Sequence, residues 1–194
     1  MGEGWNEVNL GRKRMDESVR RAMRRWPDVP DVTDHLGLDL RGRWLLHGKP
    51  IEHTRTIAFI NRHYHASDDG RWWFQNGPQR VQVQLAYTPW IYRWGPENAF
   101  QTHTGLHASN PKTAWLDEHG RLLVETEHGI GLVDDRDLPN LAERIEEDAA
   151  PADQCNGTHG ILDVGGQHLP IETIRSADVP GRFGFVTGQA PTLA

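Results

Sequence analysis

Apolar and polar residues alternate most regularly from Val81 to Ala86. Val81, Val83 and Leu85 share one side of an extended strand, and Gln82, Gln84 and Ala86 take the other. Asn76-Gly77-Pro78 supplies the break before it, while Trp72-Trp73-Phe74 upstream and Trp90-Ile91-Tyr92 downstream are side chains that sheets accommodate well. Trp72 and Trp73 are consecutive, so they point to opposite faces of a regular strand; the outward one faces a second layer or the surface, covered by the tail, a subunit or a ligand, and is the best clue to a binding site.

A helical period appears at Val19, Ala22, Met23 and Trp26, with arginines turned outward and Pro27 and Pro30 ending the run. A second helix is predicted from Asp137 as N-cap, with Leu138, Leu141, Ala142 and Ile145 as its stripe. Ile57, Ile60 and Tyr64 favour a short helix over Thr54–Tyr64. Gly95–Pro111 reads as a long loop.

Asp, a short turn and Gly recur before apolar stretches at Asp39–Gly42, Asp68–Gly70, Asp117–Gly120 and Asp163–Gly166. Asp bonds to turn amides and Gly takes the left-handed position, so each predicts a tight reversal between strands. Leu38-Asp39 with Pro50-Ile51-Glu52, and Leu162-Asp163 with Pro170-Ile171-Glu172, are either a duplicated β unit or a coincidence of turn residues. The expected fold is α+β: a mainly antiparallel sheet, a roll or open barrel, with an N-terminal amphipathic helix and one or two further short helices. Residues 1–15 are read as a flexible segment, 16–176 as a single β-rich α+β domain, and 177–194 as a C-terminal tail partly docked through Phe183 and Phe185.

With 194 residues and 37% hydrophobic content, the chain can bury one core. A net charge of −6 argues against a surface built throughout for phosphate backbones. Cys155 is the only cysteine, which excludes an internal disulfide and a cysteine-rich zinc framework. No apolar run reaches the roughly 20 residues of a membrane-spanning helix, and no signal peptide is evident, so a soluble bacterial, cytoplasmic protein is expected.

Eleven histidines are the chemical oddity of the composition. His63, His65, His103 and His107 are the candidate metal ligands, since imidazoles with a nearby carboxylate suit a transition metal. No His-Glu-x-x-His, Gly-x-Ser-x-Gly or phosphate-binding glycine loop accompanies them, and the residues specify no cofactor. Arg20, Arg21, Arg24 and Arg25 on one helix face could hold phosphates, with Trp26 or Trp72-Trp73 stacking on bases.

Arg25-Trp26-Pro27-Asp28-Val29-Pro30, Gly42-Arg43-Trp44, the run GRWWFQNGPQRV from Gly70 to Val81, Thr88-Pro89-Trp90, Val133-Asp134-Asp135-Arg136-Asp137-Leu138 and Arg182-Phe183-Gly184-Phe185-Val186 resemble an uncharacterised proteobacterial family of short proteins. The resemblance spans nearly the whole chain and implies no activity. A looser similarity, in Gly-x-Trp, Pro-Ile and a following aromatic strand, is to another uncharacterised bacterial family built from β-rich halves, and implies a signalling or ligand-sensing role.

The function expected is that of a non-catalytic cytoplasmic module, rather than an enzyme, binding a small molecule or protein partner through a tryptophan-rich pocket. Trp72, Trp73, Gln75, Asn76, Arg80, Trp90 and Tyr92 are its candidate lining, aromatics giving area and Arg80 orienting a polar or anionic group. A metal-dependent enzyme using the four histidines, and nucleic-acid binding through the arginine helix, are the alternatives. No membrane partner is expected.

Overall fold

In the computed structural model, residues 32–146 and 158–188 are described. The predicted N-terminal helix with its arginines, the segment 1–15, Cys155 and the last six residues lie outside them.

The chain runs through β1 (Val32–Leu38), β2 (Trp44–Leu46), β3 (Lys49–Pro50), helix α1 (Thr54–His63), β4 (Tyr64–Ala66), β5 (Trp72–Asn76) and β6 (Gln79–Leu85). It continues through β7 (Trp90–Trp94), β8 (Phe100–Thr102), β9 (His107–Ala108), β10 (Thr113–Leu116), β11 (Leu122–Thr126) and β12 (Gly129–Val133). A 3-10 turn at Asp135–Asp137, helix α2 (Leu138–Ala142), β13 (Ile145–Glu146), β14 (Thr158–Val164), β15 (Gln167–Thr173) and helix α3 (Val179–Phe183) complete it. The molecule is mostly β, with two mixed sheets, one curled into a half-barrel, and short helices. Antiparallel pairs dominate, as expected, and an open barrel fits. None of the described helices is long and apolar enough to cross a membrane.

The first sheet has the order β3-β2-β1-β6-β5-β4, and β7 to β12 repeat it as β9-β8-β7-β12-β11-β10. Each unit is two three-stranded meanders joined by one parallel pairing, β1 with β6 and β7 with β12. The second sheet then grows beyond β10, where β15 pairs in parallel, followed by β14 and β13. The folded repeat is therefore not the Pro-Ile-Glu pattern seen in the sequence. Pro50 ends the first unit's opening meander, whereas Pro170 belongs to the added strands.

One turn recurs at Asp39–Arg43, Ser67–Arg71, Gly95–Ala99, Thr102–Leu106 and Asp117–Arg121. In each, the first amide donates to the fifth carbonyl and the fourth amide to the first carbonyl. The fourth residue has positive φ: Gly42, Gly70, Asn98, Gly105 and Gly120. Asp39 Oδ1 takes the amides of Arg41 and Arg43, and Asp117 Oδ1 those of His119 and Arg121. Two of these turns fall inside Gly95–Pro111, which folds as β8 and β9 rather than as a long loop. Its breakers are the turn residues of two hairpins.

Val83 and Leu85 are buried and Gln82 and Gln84 sit on the opposite face, as the alternation requires. The helix expected at Thr54–Tyr64 is α1, which buries Ile60 and sets Phe59 edge-on to Phe74. The acidic helix is a correction: α2 is a single turn and a half, and the chain re-enters a sheet at Ile145. Asp137 makes no side-chain capping bond to it. Its carboxylate instead takes Arg93 Nε at 2.7 Å and the Trp94 amide at 3.0 Å.

Candidate functional site

The structure divides the residues predicted to line one pocket among three places. Trp72 and Trp90 lie in the core between the sheets, their rings 5.1 Å apart, and Trp90 Nε1 donates to the His128 carbonyl. Tyr92 is fully buried, with its hydroxyl bonded to Thr126 Oγ1 and the Gly129 carbonyl. These three are structural residues. Asn76 is exposed at the end of the β5–β6 hairpin. Trp73, Gln75 and Arg80 stay together, on the face of the first sheet turned away from that core.

Strand register builds this outer face. His65 pairs with Trp73 and Trp73 with Gln82, while Gln75 pairs with Arg80, so these side chains share one side of β4, β5 and β6. The Arg80 guanidinium carbon lies 4.7 Å from the Trp73 ring centroid, a cation–π stack that orients its donors. Trp73 Nε1 donates to Ser67 Oγ at 2.8 Å. Trp73 is only 6% exposed, so of the two alternatives for the outward indole the covered one holds.

Gln75 is also buried. Its Nε2 donates to the Gly77 carbonyl at 2.7 Å, and its Oε1 has no donor among the described residues. His65 is half-buried, with Nδ1 3.1 Å from the His63 carbonyl. Burial lowers its pKa; the bond to His63 opposes this, and repulsion from Arg80 adds to the lowering. At one end of the sheet the chain's last described residues approach: the Val186 amide donates to the Gly70 carbonyl, and a Cβ on Gly188 would lie 2.9 Å from Gln84 Cγ.

The four candidate metal ligands are not brought together. His63 ends α1 with Nδ1 2.8 Å from the Phe59 carbonyl, and His65 lies on β4. His107 is exposed beside Glu97. His103 is enclosed between the sheets by Trp44, Tyr64 and Trp90, at centroid distances of 5.2, 5.7 and 5.7 Å. Its Nδ1 accepts the Ile91 amide, and its buried Nε2 has no partner among the described residues. Burial lowers the His103 pKa to about 3, so the ring is neutral. Among the described residues, no three His, Cys, Asp or Glu side chains group as metal ligands.

A second polar cluster escaped the sequence reading. Asp134, fully buried at the end of β12, takes the Arg136 amide and guanidinium, and Arg93 spans Asp134 and Asp137. Burial alone would raise the Asp134 pKa, but these donors hold it at about 2. Each buried charge here has its counter-charge, so the cluster locks β7 to β12 and offers no reactive group. Its only signal in the sequence is the run Val133-Asp134-Asp135-Arg136-Asp137.

Fold and register together define a duplicated β module whose first sheet carries His65, Trp73, Gln75, Arg80 and Gln82 on its outer face. The model of the family DUF2944, described as a protein of unknown function (DUF2946), matches residues 15–190, and the chain belongs to this family. No curated protein matches it. Its fold is similar to the crystal structure of a DUF1285 family protein from Silicibacter pomeroyi DSS-3, at a TM-score of 0.52 and 18% identity, covering 76% of this chain and 85% of that one. A DUF1285 family protein from Shewanella baltica OS155 matches at a TM-score of 0.42 and 15% identity, over 56% of this chain and 90% of that one.

Proposed function

We propose that the protein is a non-catalytic module that binds a small molecule or polypeptide bearing an anionic group, and that the contact is made on the outer face of β4, β5 and β6. The observation that carries this reading is Arg80 held over Trp73 on the same face as His65, Gln75 and Gln82. A stacked guanidinium keeps its in-plane donors directed at a fixed angle, which suits a carboxylate or phosphate. A cytoplasmic setting belongs to the same proposal and is supported by the single cysteine, which allows no internal disulfide.

The test is a titration of isotopically labelled protein with phosphate, citrate, nucleotides and acidic peptides, followed by amide chemical shifts. Saturable changes centred on His65, Trp73, Gln75, Arg80 and Gln82 are expected, and Arg80→Ala removes them with little change in the thermal midpoint. Absence of any saturable change at these amides overturns the reading. So does a large loss of stability in Arg80→Ala, which makes the arginine a structural residue.

A further inference from the structure

The chain after β15 touches both copies of one turn. In the second unit the Ser176 amide and hydroxyl donate to the two carboxylate oxygens of Glu118, inside the turn Asp117–Arg121. Helix α3 follows, held on the second sheet by Phe183, edge-on to Trp115 at 5.1 Å, and by the buried Val179. Beyond it the chain reaches the equivalent turn of the first unit, Ser67–Arg71, where the Val186 amide donates to the Gly70 carbonyl at 2.9 Å.

Gly70 leaves room for this arrival. A Cβ there would lie 2.7 Å from the Gly184 carbonyl oxygen and 3.3 Å from Phe185 Cα, whereas one on the matching Gly120 would meet nothing within 4 Å. Phe185 is buried, and Val186 and Thr187 after it are exposed. Gly188 then lies over Gln84, an added Cβ falling 2.9 Å from Gln84 Cγ and 3.0 Å from its Cα. Gln84 stands on the outer face one step along β6 from Gln82, the residue opposite Trp73. The segment therefore crosses one end of the proposed binding face.

Its attachments are few. Gly184 ends α3 with a φ of +66°, and nothing is packed where its side chain would stand, which suits a hinge. One amide bond and one buried phenylalanine hold five residues whose ordering costs conformational entropy, so the closed form sits at the weak end of local stability. The turn that receives the segment also holds the outward indole, since Trp73 Nε1 donates to Ser67 Oγ at 2.8 Å.

We infer that Gly184–Gly188 is a strap, hinged at Gly184, that closes on the Ser67–Arg71 turn and lifts when the outer face is occupied, with Trp73 and Ser67 as the link. This rests on the outer-face reading above and adds its regulation. A ligand seated on the Trp73–Gln82 row and extending toward Gln84 meets Gly188, so ligand and closed strap exclude each other. By linkage, each weakens the other by the same factor.

The experiment is amide hydrogen exchange on the full chain, read by NMR at Val186 against Leu123 and Val124 in the central strand β11. Val186 is expected to exchange through local opening, roughly tenfold or more faster than the β11 pair and slower than a free amide. Trp73→Phe removes the indole N–H and leaves the turn's own bonds, and it is expected to speed Val186 exchange about fivefold, the net effect of one hydrogen bond. The β11 amides correct for any global loss of stability. Saturating citrate or phosphate speeds Val186 exchange in the same direction. Val186→Pro removes the strap's amide and tightens anion binding by the factor through which the anion lowers Val186 protection. Val186 exchanging in step with β11, or indifferent to Trp73→Phe, overturns the strap. If anions shift the outer face and leave Val186 protection unaltered, the strap falls and the outer-face reading stands. If no anion shifts the outer face while Trp73→Phe still frees Val186, the outer-face reading falls and the strap with its link to Trp73 stands.

Discussion

Gly42 and His103 touch where the two sheets meet: a Cβ placed on Gly42 would lie 2.6 Å from His103 Cβ. Each belongs to a copy of the same turn, Asp39–Arg43 and Thr102–Leu106, so one hairpin tip is fitted directly against another. The glycine answers two demands, a φ of +75° and the absence of a side chain.

Gly42→Ala meets both penalties at once. Left-handed backbone costs an L-residue about 1–2 kcal/mol, and the contact atom is a Cβ, which cannot swing aside. A loss of about 3 kcal/mol is expected, against about 1 kcal/mol for the same change at Gly120, where an added Cβ meets nothing within 4 Å. Equal denaturation midpoints for the two variants would show that the hairpin tips do not bear on each other.

His103 makes the fold sensitive to moderate acid. Its pKa lies at about 3 in the folded protein against 6.5 for the free group, so between those values the unfolded chain binds the extra proton. Stability is full above pH 6.5 and falls as pH drops toward 3, by about 1.4 kcal/mol per pH unit from this group. In His103→Phe that slope is absent, whatever the variant's stability at neutral pH. Parallel stability-versus-pH curves for the two proteins between pH 5 and 7 would contradict the enclosure of the ring.

Asp134 acts in a lower window and for the opposite reason. Its folded pKa of about 2 lies below the ordinary 3.8, so its stabilisation is present above 3.8 and disappears as pH falls through 2. Asp134→Asn leaves Arg136 and Arg93 facing a neutral group and costs about 2–3 kcal/mol at pH 7. Denaturant titrations near pH 2 and at pH 7 check this. A penalty that persists undiminished in acid would assign the residue's role to its hydrogen bonds alone.

Local chemistry carried much of the fold in legible form. Asp39, Asp117 and Asp163 announce their reversals because an Asp side chain and a following glycine complete the turn within a few residues. The equivalent turns at Gly95–Ala99 and Thr102–Leu106 carry no such signal, since Asn98 replaces the glycine in one and threonine the aspartate in the other. The acidic helix failed because its stripe residue Ile145 pairs instead with Leu162, a contact distant in sequence. For the site, alternation put Trp73 on the face opposite Trp72, but nothing local showed that it would be covered, or that Trp90 and Tyr92 would be spent in the core.

Side-chain alternation and turn chemistry are short-range, so the sequence by itself determined β5, β6 and β7, the reversals that carry an Asp and a glycine, α1 and the grouping of Trp73, Gln75 and Arg80 on one strand pair. The parallel joins of β1 to β6, β7 to β12 and β10 to β15 bring together residues dozens of positions apart, with no turn between them to encode the register. Only the tertiary structure decided those joins, and with them the enclosure of His103, the pairing of Asp134 and the placing of His65 beside Arg80.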